Sequence, residues 1–137
     1  MEKPRNIYEN LTVMIVEDDK THRWALRQCL QAGLGVKIIE CGTGRDAVDS
    51  LKKYEPNLII LDLRLPDFDG DALLNRIRKD ERTRDIPVLV CTAHSERETI
   101  MRLVDLKISG CIVKPFTHDT VHEKVRAAFD QHLHIGH

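Results

Sequence analysis

Short, solid apolar runs alternate along this chain with longer stretches in which apolar residues recur at helical spacing. The runs are Leu11–Val16, Val36–Ile39, Leu58–Leu61, Val88–Cys91 and Cys111–Val113, rich in Val, Ile and Leu and mostly lacking polar alternation. Strands buried on both faces of a parallel sheet have this look. The stretches between them read as helices. Lys20 to Ala32 puts Ala25, Leu26, Cys29 and Leu30 on one stripe, and Gly33 and Gly35 suit its C-terminus. At about 100° per residue that stripe lies almost opposite Trp24, which is therefore expected on the outward face. There it is either an isolated surface aromatic over neighbouring Arg and Gln stems or a partner anchor. A second helix opens near Thr43 or Gly44, carries Ala47, Val48 and Leu51, and stops before Pro56. A third starts at about Asp71 with Leu73, Leu74 and Ile77. A fourth follows Ser95 as N-cap and holds Ile100, Leu103, Val104 and Lys107. The fifth, after Thr117, holds Val121, Val125, Ala128 and Phe129. Strands alternating with helices through right-handed crossovers give an open parallel sheet with helices on both faces. One domain over 9–131 is expected, with 1–8 and 132–137 as loose termini.

The 137 residues, 42% apolar and 31% charged, are enough for one sizeable core. A net charge of −1 argues against a protein that coats nucleic acid. No apolar run reaches the roughly 18–20 residues of a membrane helix, and the polar start lacks the apolar centre of a secretory signal. A soluble, cytoplasmic protein is expected, with no nucleic-acid or membrane binding by this segment. Cys29, Cys41, Cys91 and Cys111 form no C-x-x-C pair and read as packing residues. His118 and His122 stand at i, i+4, but His122-Glu123 is followed by Lys-Val-Arg, so H-E-x-x-H fails. A solvated helix face is the reading.

Chemistry gathers at the strand ends. The first run ends in Glu17-Asp18-Asp19, the third in Asp62, the fourth in Thr92 and the fifth in Lys114. Open α/β sheets bind their ligands at this carboxyl edge. If the first and third strands are neighbours, Glu17 and Asp18 face Asp62, and carboxylates so crowded repel unless a cation sits among them. Oxygen-only ligands suit a hard ion such as Mg²⁺. A lysine and a threonine hydroxyl beside a metal-held carboxylate suit a phosphoryl group. Asp67, Asp69 and Asp71 fall in a Pro-Asp-Phe-Asp-Gly turn, where Asp is expected to cap the next helix.

These motifs stand in a family-like order. Ile15-Val16-Glu17-Asp18-Asp19 is followed by Leu61-Asp62-Leu63-Arg64-Leu65-Pro66-Asp67-Phe68-Asp69-Gly70. Pro87-Val88-Leu89-Val90-Cys91-Thr92-Ala93 and Gly110-Cys111-Ile112-Val113-Lys114-Pro115-Phe116 complete the set. From about Leu11 to Phe129 the chain resembles the receiver domain of bacterial two-component response regulators, CheY-like in particular. The resemblance implies a flavodoxin-like (βα)5 doubly wound α/β sandwich, its five-stranded parallel sheet ordered 2-1-3-4-5. It implies that Asp62 is a phosphoacceptor that takes a phosphoryl group from the phosphohistidine of a sensor kinase or phosphotransfer domain. By the same resemblance, Asp18, Asp62 and the backbone carbonyl of Arg64 bind Mg²⁺, Glu17 acts through a metal-bound water, and Thr92 and Lys114 hold the phosphoryl oxygens. It further implies a cis Lys114-Pro115 bond, and a monomer or weak dimer through the face of helices 4 and 5. The output is a downstream protein or a fused domain.

Two departures stand out. Cys111 occupies a position where many relatives carry an aromatic ring, and Arg64 and His94 flank the phosphate site. Three other classes compete. A pseudo-receiver would use the fold as an interaction module without phosphorylation. An aspartate-nucleophile phosphatase needs a second acid two residues after Asp62, where Arg64 stands. A flavin domain needs a Ser/Thr/Gly-rich loop in place of Glu17-Asp18-Asp19-Lys20.

Overall fold

The computed structural model describes residues 7–93 and 97–133. Its strands are β1 (Thr12–Val16), β2 (Lys37–Cys41), β3 (Leu58–Asp62), β4 (Val88–Thr92) and β5 (Gly110–Val113). The helices are α1 (Lys20–Leu34), α2 (Gly44–Lys53), α3 (Gly70–Lys79), α4 (Arg97–Leu103) and α5 (His118–Leu133). All strand pairs are parallel, in the order β2-β1-β3-β4-β5. This is the flavodoxin-like topology expected from the sequence.

Alternate residues of each strand point to opposite faces, and the core divides accordingly. Val13, Ile15, Leu58, Ile60 and Leu89 pack under α1 and α5, against Leu26, Leu30, Val121 and Phe129. Met14, Val16, Ile59, Leu61 and Val90 pack under α2, α3 and α4, against Ala47, Leu51, Leu73, Ile77 and Leu103. The inner strands β3 and β4 are buried at every position. The second run is different. It was expected as Val36–Ile39 buried on both faces, but the strand runs Lys37–Cys41 and only Cys41 within it is buried. It is an edge strand with one neighbour, and Lys37 and Glu40 lie open to solvent. Charges on such an edge oppose pairing with another chain. Val113 on the opposite edge strand is likewise exposed.

Several boundaries moved for identifiable reasons. α1 continues past Ala32 to Leu34, with Gly33 inside it, and Gly35 caps it with φ 66° and its N–H on the Leu30 carbonyl. Only a left-handed residue closes the helix that way. Gly33 serves packing instead: a Cβ there would lie 1.9 Å from the His122 ring. His122 is thus not on a solvated face. It lies across α1 and hydrogen-bonds the Cys29 carbonyl. The fourth helix is shorter than its periodicity suggested. α4 gives way to a 3-10 turn at Val104–Leu106, and Lys107 turns left-handed with φ 58°. Val104 is consequently exposed rather than on a buried stripe. The expected N-cap Ser95 and the flanking His94 lie outside the described residues.

At the amino end of the sheet, Arg78 of α3 binds four carbonyls. Its guanidinium donates to Ile86 at 2.7 Å, Leu106 at 2.8 Å, Arg84 at 2.9 Å and Lys107 at 3.3 Å. Tyr8, at the margin of the domain, stacks on Phe129 with ring centroids 5.6 Å apart. Cys29, Cys41 and Cys91 are buried and Cys111 half-buried, all as free thiols.

Trp24 is 61% exposed on α1, on the face opposite Leu26 and Leu30. Its fluorescence is expected to be red-shifted and readily quenched by iodide in the free protein. Blue emission resistant to iodide would contradict this placement.

Candidate functional site

The parallel registers bring the polar strand ends together. Val16 pairs with Leu61, so Glu17 emerges beside Asp62; Asp62 pairs with Cys91, and Thr92 pairs with Val113 just before Lys114. Glu17, Asp18 and Asp62 each offer an oxygen, and these atoms lie within 4.8 Å of one another. Glu17 and Asp62 are buried, at 1% and 5% exposure, whereas Asp18 faces solvent. Thr92 is buried alongside. Asp62 Oδ1 accepts from the Arg64 N–H at 2.9 Å, which folds the loop after β3 back over the carboxylate. Asp19 takes a separate job: it caps α1, accepting from the His22 N–H.

Lys114 supplies a cation to this acidic pocket. Its Nζ donates to Glu17 Oε1 at 2.7 Å and to Asp62 Oδ2 at 3.1 Å. The Lys114 N–H binds the Thr92 carbonyl at 2.7 Å, and the following Lys114-Pro115 bond is cis, as the resemblance implied. The electrostatics follow from burial and proximity. Burial, with help from Asp62, pushes the Glu17 carboxyl up to about 8 against the pull of Lys114. For Asp62 burial also opposes ionisation, but hydrogen bonds with Glu17, the Arg64 N–H and Lys114 hold it below the usual carboxylate range. Burial disfavours the Lys114 ammonium, yet the two carboxylates raise its pKa overall. Glu17 therefore holds a proton more readily than an ordinary carboxylate, and Asp62 less readily.

The pocket fits a hard divalent cation. Its donors are all carboxylate oxygens, and Glu17 Oε2, fully buried, finds no hydrogen-bond partner among the described residues. A buried acceptor left so costs about 1–3 kcal/mol, and a cation or its water would satisfy it.

Stability should therefore fall with pH in the absence of metal. A folded pKa raised above the usual 4.5 means that the native state holds the Glu17 proton more tightly than the unfolded chain does. That contribution is complete below about pH 4.5 and is lost as pH rises through about 8. The lowered Asp62 acts in the opposite sense, in the separate acidic range below its usual pKa. In chelator, melting of the wild type is expected to drop by several degrees between the acid and alkaline sides of this window, at roughly 4 °C per kcal/mol. Glu17→Gln should flatten that decline, although Lys114 and His22, at 2.7 and 3.2 Å from Glu17, both face the group. An equally steep decline in Glu17→Gln would contradict the assignment.

Two neighbours escaped sequence reasoning. His22 places Nδ1 3.2 Å from Glu17 Oε1, and Arg23 donates to the Glu17 carbonyl at 2.8 Å. Their position on the first turn of the helix after the acidic motif was the available signal. The turn acids also divide differently from expectation. Asp69 stands at the N-cap of α3 without a side-chain bond. Asp67 does not cap that helix: it accepts from the N–H groups of Gly44 and Arg45, the first residues of α2, at 2.8 and 2.9 Å. A turn motif encodes a local cap, and this partner lies across the fold.

A carboxylate pocket at the switch point, with a lysine inside it and a buried threonine beside it, stands where open α/β sheets bind their ligands. The sequence profile of the response regulator receiver domain matches residues 13–126. Chemotaxis protein CheY-3 of Vibrio cholerae is 35% identical over 124 residues, covering 90% of this chain and 95% of that protein. Chemotaxis protein CheY of Pseudomonas aeruginosa is 29% identical over 121 residues, with 88% and 98% covered. A CheY-like response regulator receiver domain protein from Methanospirillum hungatei shares the fold, with a TM-score of 0.83 at 21% identity over 93% of this chain and 99% of that one. The chain belongs to the response regulator receiver domain family. It is a CheY-like receiver of two-component signalling, a signalling phosphoacceptor rather than a conventional enzyme.

Proposed function

We propose that Asp62 is the residue phosphorylated, by the phosphohistidine of a sensor kinase or phosphotransfer domain. The observation that carries this is a buried Asp62 carboxylate held 3.1 Å from Lys114 Nζ within the acidic cluster. A carboxylate oxygen attacks phosphorus, the phosphorus–nitrogen bond of the donor breaks, and an aspartyl phosphate forms. Asp18, Asp62 and the Arg64 carbonyl would hold Mg²⁺, with Glu17 acting through a water. When bound there, the ion would supply charge neutralisation for the phosphoryl oxygens. Thr92 donates its hydroxyl to one of those oxygens, and the Lys114 ammonium neutralises another. This work is positioning and charge balance, which phosphoryl transfer chiefly requires.

The protein acts in the cytoplasm as a switch whose partner affinity changes with phosphorylation. Among the described helices none is long and apolar enough to cross a membrane. Its kinase presents phosphohistidine, and its target is a downstream protein or a fused output domain. Exposed Met101, Val104 and Val113 support a partner face, or a weak dimer, on the α4–α5 side. Acetyl phosphate tests the central step. With Mg²⁺ it is expected to add one phosphoryl mass to the wild type, and in chelator none. Absence of any adduct with Mg²⁺ would favour an interaction module that works without phosphorylation.

A further inference from the structure

The loop that follows Asp62 seats Leu63 in the core with Leu65 packed against it, and its outer residues Arg64, Pro66, Asp67 and Asp69 are exposed. At its base, the backbones of Arg64 and Asp69 pair in a single antiparallel β-bridge, and the Gly70 N–H binds the Leu63 carbonyl at 2.9 Å. Its tip is held from another element. The two carboxylate oxygens of Asp67 separately accept the Gly44 and Arg45 N–H groups at 2.8 and 2.9 Å. Phe68 lies over Gly44 so closely that a Cβ there would fall 2.1 Å from its ring.

The first N–H groups of a helix have no partner within it. In α2 the third residue, Asp46, is served by the Thr43 hydroxyl at 3.0 Å. Asp67 serves the first two, and its negative charge also suits a helix N-terminus. Any displacement of the loop therefore strips two donors at the start of α2, and any displacement of that start releases the loop.

We propose that Asp67 is a positioning residue for the acidic site, clamping the Asp62–Arg64 segment to the N-terminus of α2 and carrying occupancy of the site to that helix. The proposal rests on the reading of Asp62 and Arg64 as cation ligands. Clamping sets where the Arg64 carbonyl stands relative to Asp62, so loss of the clamp weakens cation binding without removing any ligand. Phe68 seated on Gly44 restrains the loop sideways, and Asp67 fixes its height above the helix.

Amide spectra of the full ¹⁵N-labelled chain, titrated with Mg²⁺ alone, test this. In the wild type the Gly44 and Arg45 amides are expected to shift along the same saturation curve as Asp62 and Arg64. Asp67→Ala should weaken Mg²⁺ binding roughly tenfold, the usual scale for losing a group that orients metal ligands. Asp67→Asn, which keeps one acceptor oxygen, should fall between. Gly44→Ala, which expels Phe68 and leaves the carboxylate, should weaken binding as well. A role limited to stability would lower Tm and leave the Mg²⁺ Kd unchanged. Wild-type affinity in Asp67→Ala, or Gly44 and Arg45 amides that stay still while those of Asp62 and Arg64 shift, would overturn the clamp; still amides at all four would overturn the cation-ligand reading instead. The titration involves no phosphoryl transfer. Failure of acetyl phosphate to label Asp62 would therefore count against the acceptor reading alone.

Discussion

Asp62→Asn is expected to abolish Mg²⁺-dependent labelling by acetyl phosphate while the protein remains folded. Asn matches Asp in size, and its amide oxygen can still accept the Arg64 N–H that now meets Oδ1 at 2.9 Å. What it loses is the anionic nucleophile and the partner that Lys114 meets at 3.1 Å. Removing that charge relieves the crowding around Glu17 but leaves Lys114 one carboxylate short, so the metal-free variant should stay folded and melt slightly lower than the wild type. Intact mass before and after acetyl phosphate is the measurement. Glu17 and Asp18 also lie within the cluster, and peptide mapping would show whether either takes up the group instead. A full-yield adduct in Asp62→Asn would remove Asp62 from its role.

Gly70→Ala should be the most damaging single methyl in the loop. A Cβ there would lie 2.4 Å from Leu63 Cα and 2.9 Å from its carbonyl oxygen, both backbone atoms one residue beyond the acceptor. Backbone cannot rotate aside as a side chain can, so the loop must open and the Gly70 hydrogen bond to Leu63 must lengthen. An overpacking cost of about 3 kcal/mol is expected, or roughly 10 °C in Tm for a chain of this size. Gly42→Ala is the control. Its Cβ would meet only the tip of Arg23, at 3.3 Å, and a flexible guanidinium can move. Equal melting of the two variants would show that the loop relaxes more freely than its contacts with Leu63 suggest.

Much of this architecture is written in the sequence at short range. Solid Val, Ile and Leu runs mark strands that are covered on both sides, and β3 and β4 are so covered. Because polar residues close those runs, the acidic pocket was legible once the strand order was known. What stayed hidden depends on neighbours that no local pattern names. Val36–Ile39 looks like an inner strand, yet the sheet ends there. His122 looks solvated on its own helix, and only the glycine gap in α1 gives it a seat. Asp67 looks like a cap for the helix that follows it and serves another one. Lys114 was expected to meet a phosphate; that it also stands between Glu17 and Asp62 follows from the packing of β5.

The guanidinium of Arg78 has a mechanical consequence. By holding carbonyls of Arg84, Ile86, Leu106 and Lys107, it rivets α3 to the approach to β4 and to the turn before β5. These rivets sit at the end of the sheet remote from Asp62. Elements fastened at one end resist sliding past each other there. The far end of the sheet is thus stapled through one side chain, and Arg78 leaves the acidic end to be held by its own contacts.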